Sequence, residues 1–105
     1  MITCIYEKGR SRITLNGHAE YAEYGKDIVC ASATALMYTL AAMCERILDK
    51  NGQADRLSAE FESGRICVAY RGKSKRIAAA FKQTALGLEI IEKIFPKFLR
   101  IVRKP

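Results

Sequence analysis

The chain reads as an α+β protein: a two-layer sandwich of order β-β-α-β-β-α-β, with two helices packed on one face of a mainly antiparallel sheet. Two observations carry that reading. Short runs of alternating apolar and polar residues come as two hairpins, and a long stretch of helical periodicity follows each hairpin. Half of the 105 residues are hydrophobic and proline is scarce, which suits a single core and one domain spanning residues 1–105.

The first run, Ile2 to Glu7, sets Ile2, Cys4 and Tyr6 on one face. Lys8-Gly9-Arg10 turns the chain, and Ile13 and Leu15 continue the alternation toward Asn16. A loop from Gly17 to Lys26 carries Gly17 and Gly25 near its ends, the composition of a hinged flap. Asp27 is a good helix N-cap. Behind it Val29, Ala33, Leu36, Leu40, Met43 and Ile47 recur at helical spacing, and Asn51-Gly52 closes that helix. Leu57, Ala59 and Phe61 alternate, Ser63-Gly64 turns the chain, and Ile66, Val68 and Tyr70 alternate again. Gly72 and Ser74 introduce a second helix whose inner face holds Ile77, Phe81, Thr84, Leu88, Ile91 and Phe95. Pro96 ends it, and Phe98 to Arg103 fits a last edge strand.

No uninterrupted apolar run approaches the ~18 residues a membrane span needs, and the start lacks the pattern of a secretion signal. The expected location is cytoplasmic, with no membrane partner. The cysteines at 4, 30, 44 and 67 form no Cys-x-x-Cys pair, and one histidine cannot complete a zinc set, so no metal site is expected. A cytosolic chain with an adequate core neither needs nor keeps disulfides. Cys4, Cys44 and Cys67 fall inside regular elements and read as small buried hydrophobes. The formal charge of +7 is uneven: residues 1–52 balance, and the whole excess lies in residues 53–105.

The chemistry clusters around the sole histidine. His18 precedes Cys30 by twelve residues, and the two stand at opposite ends of one loop, where an imidazole and a thiol can act as base and nucleophile. With Asp27 as cap, Ile28, Val29 and Cys30 open the helix, and their amides have no carbonyl partners within it. A thiolate there is favoured by the helix dipole, and the same amides are candidates to hold an oxyanion. The Asp27 carboxylate opposes ionisation if it faces the sulfur. It can instead turn to the backbone as a cap or to His18, and Asn16 is another candidate to orient the ring.

Gly17-His18-Ala19, then Gly25-Lys26-Asp27-Ile28-Val29-Cys30-Ala31 at this separation, closely resembles the ribosomal-processing cysteine protease family, Prp. The likeness extends through the preceding hairpin and the following helix; the second half matches only in pattern. The resemblance implies a small cytoplasmic Cys-His protease, commonly dimeric and without cofactor. Such an enzyme removes the N-terminal extension of a large-subunit ribosomal protein, cutting after an aromatic pair; some relatives in phage-derived regions process capsid proteins. It places the nucleophile on Cys30, the base on His18 and the motif aspartate on Asp27. Gly17, Ala19 and Gly25 lie in the motif, and Thr34 stands where the family usually has serine. Glu20 stands where it often has glycine. Tyr21, Ala22 and Tyr24 on the flap are candidates to cover aromatic substrate residues; covering the sheet edge is the alternative use of Tyr21 and Tyr24.

The main competing class is a non-catalytic RNA- or ribosome-binding module. Arg71, Lys73, Lys75 and Arg76, with Arg100, Arg103 and Lys104, supply a basic face, although no stacking motif or Gly-x-x-Gly clamp specifies RNA. A third class is an adaptor that assembles with ribosomal precursors without cutting them.

Overall fold

The computed structural model describes residues 1–23 and 27–105. Its elements are β1 (Ile2–Glu7), β2 (Arg12–Asn16), α1 (Ile28–Lys50), β3 (Leu57–Glu62), β4 (Arg65–Tyr70), α2 (Lys75–Ile94) and β5 (Leu99–Lys104). One five-stranded sheet has the order β3-β4-β2-β1-β5. Every pairing is antiparallel except β1 with β5. That exception follows from connectivity: α2 carries the chain back along the sheet, so β5 starts beside the start of β1, with Ile2 opposite Leu99.

Alternation decides which face is covered. Ile2, Cys4 and Tyr6 of β1, Ile13 and Leu15 of β2, and Val68 and Tyr70 of β4 are buried under the helices. Ala59 is exposed, because β3 is an edge strand that the helices cover only in part. α1 buries Val29, Ala33, Met37, Leu40, Ala41, Cys44, Ile47 and Leu48. The expected stripe is thus displaced in its middle: Leu36 is half-buried and Met43 is 48% exposed. Helical spacing admits steps of three or four, and the small side chains of Ala33, Ala41 and Cys44 let the backbone come close to its neighbours. α2 buries Ile77, Phe81, Thr84, Ala85, Leu88 and Ile91 as expected, while Phe95 is its C-cap. By length and composition α1 would also pass for a membrane span, which revises the expectation drawn from uninterrupted runs. Its apolar stripe is instead used against the sheet and α2.

Candidate active site

α1 begins beside the sheet end formed by the start of β1, the end of β2 and the β3–β4 turn. Asp27 is its N-cap: Oδ1 accepts the Val29 and Cys30 amides at 3.0 Å each. Its Oδ2 accepts the Tyr21 N–H at 3.1 Å, tying the loop to the helix start. Burial alone would raise the Asp27 pKa, but donation from the Cys30, Tyr21 and Val29 amides outweighs it and holds the carboxyl below its ordinary value. The carboxylate therefore caps the backbone and at the same time accepts from the Cys30 thiol, so it both starts the helix and opposes ionisation of the sulfur. One expectation falls with that: the Val29 and Cys30 amides are occupied by Asp27 and are not free for an oxyanion.

The amide aimed at the sulfur comes from the loop. Ala19 N–H donates to Cys30 Sγ at 3.3 Å, and Ala19 is itself buried. Burial pushes the half-buried Cys30 thiol above its ordinary pKa, and the Asp27 charge adds to the rise. The Ala19 amide and the chain's amino terminus pull the other way without cancelling it. The helix start alone does not ionise this sulfur. Cys4 and Cys44 are fully buried, and burial pushes their thiols up to about 12 and about 11. Cys67 is half-buried on the uncovered sheet face, where it accepts a hydrogen bond from Thr14 Oγ1 at 3.5 Å.

His18 is exposed and rests on the β3–β4 turn. Gly17 N–H donates to the Gly64 carbonyl at 2.8 Å, and a Cβ at Gly64 would stand 3.2 Å from His18 Nε2. Gly17 has φ +93°, and a Cβ there would meet the Met1 carbonyl oxygen at 2.5 Å, so only glycine fits. Among the described residues no hydrogen bond joins His18 to Cys30.

Both side chains nevertheless line one cleft of about 1060 Å³. Asp27, Glu20, Ala22 and Thr34 line it too, with Thr34 one helical turn beyond Cys30. Tyr38, which the sequence reading did not single out, and Phe61, read there only as a strand residue, form part of its wall with stacked rings 4.0 Å apart. Gly64 was read only as a turn residue; its contact with His18 depends on strands far apart in sequence and left no local signal. Glu20 has φ +59°, the left-handed region that a glycine would enter freely. Tyr21 packs edge-on against Phe95 and Phe98 at 5.3 and 5.1 Å and is not among the residues that line the cleft. Tyr24, Gly25 and Lys26 lie outside the described residues.

Asp27 combines two effects that one substitution separates. Asparagine caps a helix about as well as aspartate but carries no charge. Asp27→Asn should keep the stability of the parent while lowering the Cys30 pKa, read as a shift of the alkylation-rate profile to lower pH. Asp27→Ala should lose about 1 kcal/mol in urea unfolding. Because the folded pKa of Asp27 is lowered, its contribution is full above its ordinary value and is lost as pH falls through the folded value. The acid limb of stability should therefore flatten in Asp27→Asn. An unmoved alkylation profile would contradict the electrostatic part.

A cysteine at a helix start, a histidine at a neighbouring strand end and a shared cleft in an α+β sandwich define a small thiol hydrolase. The chain belongs to the Prp cysteine protease family, whose model, described as cysteine protease Prp, matches residues 1–100. It is a cysteine protease. Its fold is shared with the essential ribosomal processing protease Prp from S. aureus in complex with a covalently linked product peptide. That structure is 23% identical with a TM-score of 0.81, covering 99% of this chain and 100% of the other. The same S. aureus protease with a substrate peptide is 21% identical with a TM-score of 0.75, over 99% and 100% of the two chains. SMU.848 from Streptococcus mutans is 25% identical with a TM-score of 0.68, over 98% and 91%. No curated protein matches the chain.

Proposed function

We propose that Cys30 is the nucleophile and His18 the general base and acid, and that the substrate is the N-terminal extension of a large-subunit ribosomal protein, cut after an aromatic pair. The observation that carries this reading is the Ala19 amide directed at the Cys30 sulfur in the cleft that His18 also lines. The S. aureus relative, a ribosomal processing protease held with substrate and product peptides, supports the substrate class.

The steps follow from the residues. His18 swings from the Gly64 turn to the sulfur and takes its proton, and the thiolate attacks the peptide carbonyl. The Ala19 N–H, already within reach of an atom bonded near Sγ, shifts to the oxyanion. His18 protonates the leaving amine, a thioester remains on Cys30, and water activated by His18 hydrolyses it to the acid and free thiol. Thr34 and the Tyr38–Phe61 wall border the space where substrate side chains flank the scissile bond.

The test is incubation of the protein with a ribosomal precursor carrying its extension, read by mass spectrometry. A new terminus after the aromatic pair is expected. Cleavage confined to a phage capsid precursor would replace the substrate and leave the chemistry. The enzyme is further proposed to be cytoplasmic and homodimeric. Leu86, Ile90 and Ile94 form an exposed apolar row on α2 that supports the dimer; a sedimentation mass of one chain would remove it.

A further inference from the structure

We infer that the end of the sheet opposite the cleft is a binding surface for RNA. The strand register defines the two ends. Asn16 pairs with Thr3 and Arg65 at the cleft end, whereas Glu7 pairs with Arg12 and Lys104, and Leu57 with Tyr70, at the other. Segments distant in sequence all deliver cations to that second end. Lys8 and Arg10 stand on the turn between β1 and β2, and Arg12 opens β2. Arg56 precedes β3, and its backbone carbonyl accepts the Arg71 N–H at 2.9 Å. Arg71, Lys73, Lys75 and Arg76 lead into α2, all exposed, and β5 ends in Arg103 and Lys104. The sequence showed only the clusters at 71–76 and 100–104; the sheet unites 71–76, Arg103 and Lys104 with the cations of the first hairpin and sets Arg100 apart at the cleft end, opposite Thr3.

Side-chain carboxylates near this end are fewer: Glu7 faces Arg10 at 3.7 Å, Glu89 binds Arg103 at 2.7 Å, and Asp49 and Asp55 flank the end of α1 and the start of β3, while the Pro105 carboxyl lies beside Gly9. A concavity of about 550 Å³ between Arg56, Tyr70, Arg71, Lys73 and Ser74 opens at the start of α2. Ser74 Oγ caps α2 there by accepting the Ile77 N–H at 3.2 Å, and the positive end of the helix dipole adds to the potential. Arginine dominates the cluster, and its planar fork matches phosphate. RNA is favoured over a lipid surface because, among the described residues, none of the exposed large apolar side chains belongs to the segments that build this end, which leaves those segments without an apolar anchor for a bilayer. The surface stands clear of the cleft, so substrate and RNA bind together without competing.

The test uses the full chain and a labelled single-stranded RNA, with anisotropy followed across a salt series. Arg71→Gln, Lys73→Gln and Arg76→Gln combined are compared with Lys93→Gln, Lys97→Gln and Arg100→Gln combined, which remove equal charge at other exposed positions. The first triple should weaken binding about tenfold or more and flatten the slope of log K against log salt by about 2, from ~0.7 per lost phosphate contact. The control triple should stay within about twofold of the parent. Peptide cleavage should be unchanged in the first triple, so loss of RNA binding is separable from failure of the protease reading. Equal losses in the two triples, no measurable RNA binding by the parent, or stronger binding to anionic vesicles or polyglutamate than to RNA would each overturn the inference.

Discussion

Cys30→Ala should abolish cleavage of the precursor peptide, a fall of ~10⁴-fold or more, while the fold stays intact. A half-buried thiol at a helix start contributes little to the core, so urea unfolding should move by less than about 1 kcal/mol. His18→Ala should fall nearly as far, and the double variant no further, because nucleophile and base act as one unit. Alkylation gives an independent reading of the same site. Cys4 and Cys44 are fully buried with thiols held far above neutrality, so only Cys30 and Cys67 should react in the folded protein. The Cys30 reaction should quicken with pH into the alkaline range, since its thiol lies above the ordinary value in the free protein. Activity sustained at neutral pH alongside that profile would show that substrate brings His18 to the sulfur. Residual cleavage within tenfold of the parent in Cys30→Ala would place the nucleophile elsewhere.

The elements that the sequence disclosed are those made by local patterning. The hairpins, both helices, the Asp27 cap and the inward faces of β1 and β2 each follow from alternation, periodicity or a capping residue within a few positions. What escaped depends on partners distant along the chain. Met43 fits a helical stripe as well as Cys44 does, and only the seating of α1 on the sheet chooses between them. The parallel β1–β5 pairing needs the path of α2. In the site, the motif placed His18 and Cys30 near one another, but the cap's consumption of the Val29 and Cys30 amides appears only in the hydrogen bonds. The Ala19 amide then assumes the place at the sulfur that the helix start was expected to fill.

The turn beneath His18 offers a sharper test of positioning, because the fold contains its own control. Gly64 has φ +80° and Gly52 has φ +65°, so alanine at either costs about 1 kcal/mol of backbone strain. Their surroundings differ. A Cβ at Gly52 meets nothing within 4 Å, while one at Gly64 lies 3.2 Å from His18 Nε2 and moves the ring by a few tenths of an ångström. The exposed ring yields easily, so stability should fall alike in Gly52→Ala and Gly64→Ala. Catalysis should not, because sub-ångström errors in base placement are costly; Gly64→Ala should lose about tenfold in kcat/KM, within the ~10²-fold that a 1 Å error brings. Asparagine tolerates the left-handed region better than alanine but carries a larger side chain. Gly64→Asn should therefore be the more stable of the two Gly64 variants and the less active, a reversal that simple unfolding does not produce. Gly52→Asn should leave kcat/KM at the parent value. If activity instead tracks stability across all four variants, the β3–β4 turn is only a turn and His18 takes its position from the loop alone.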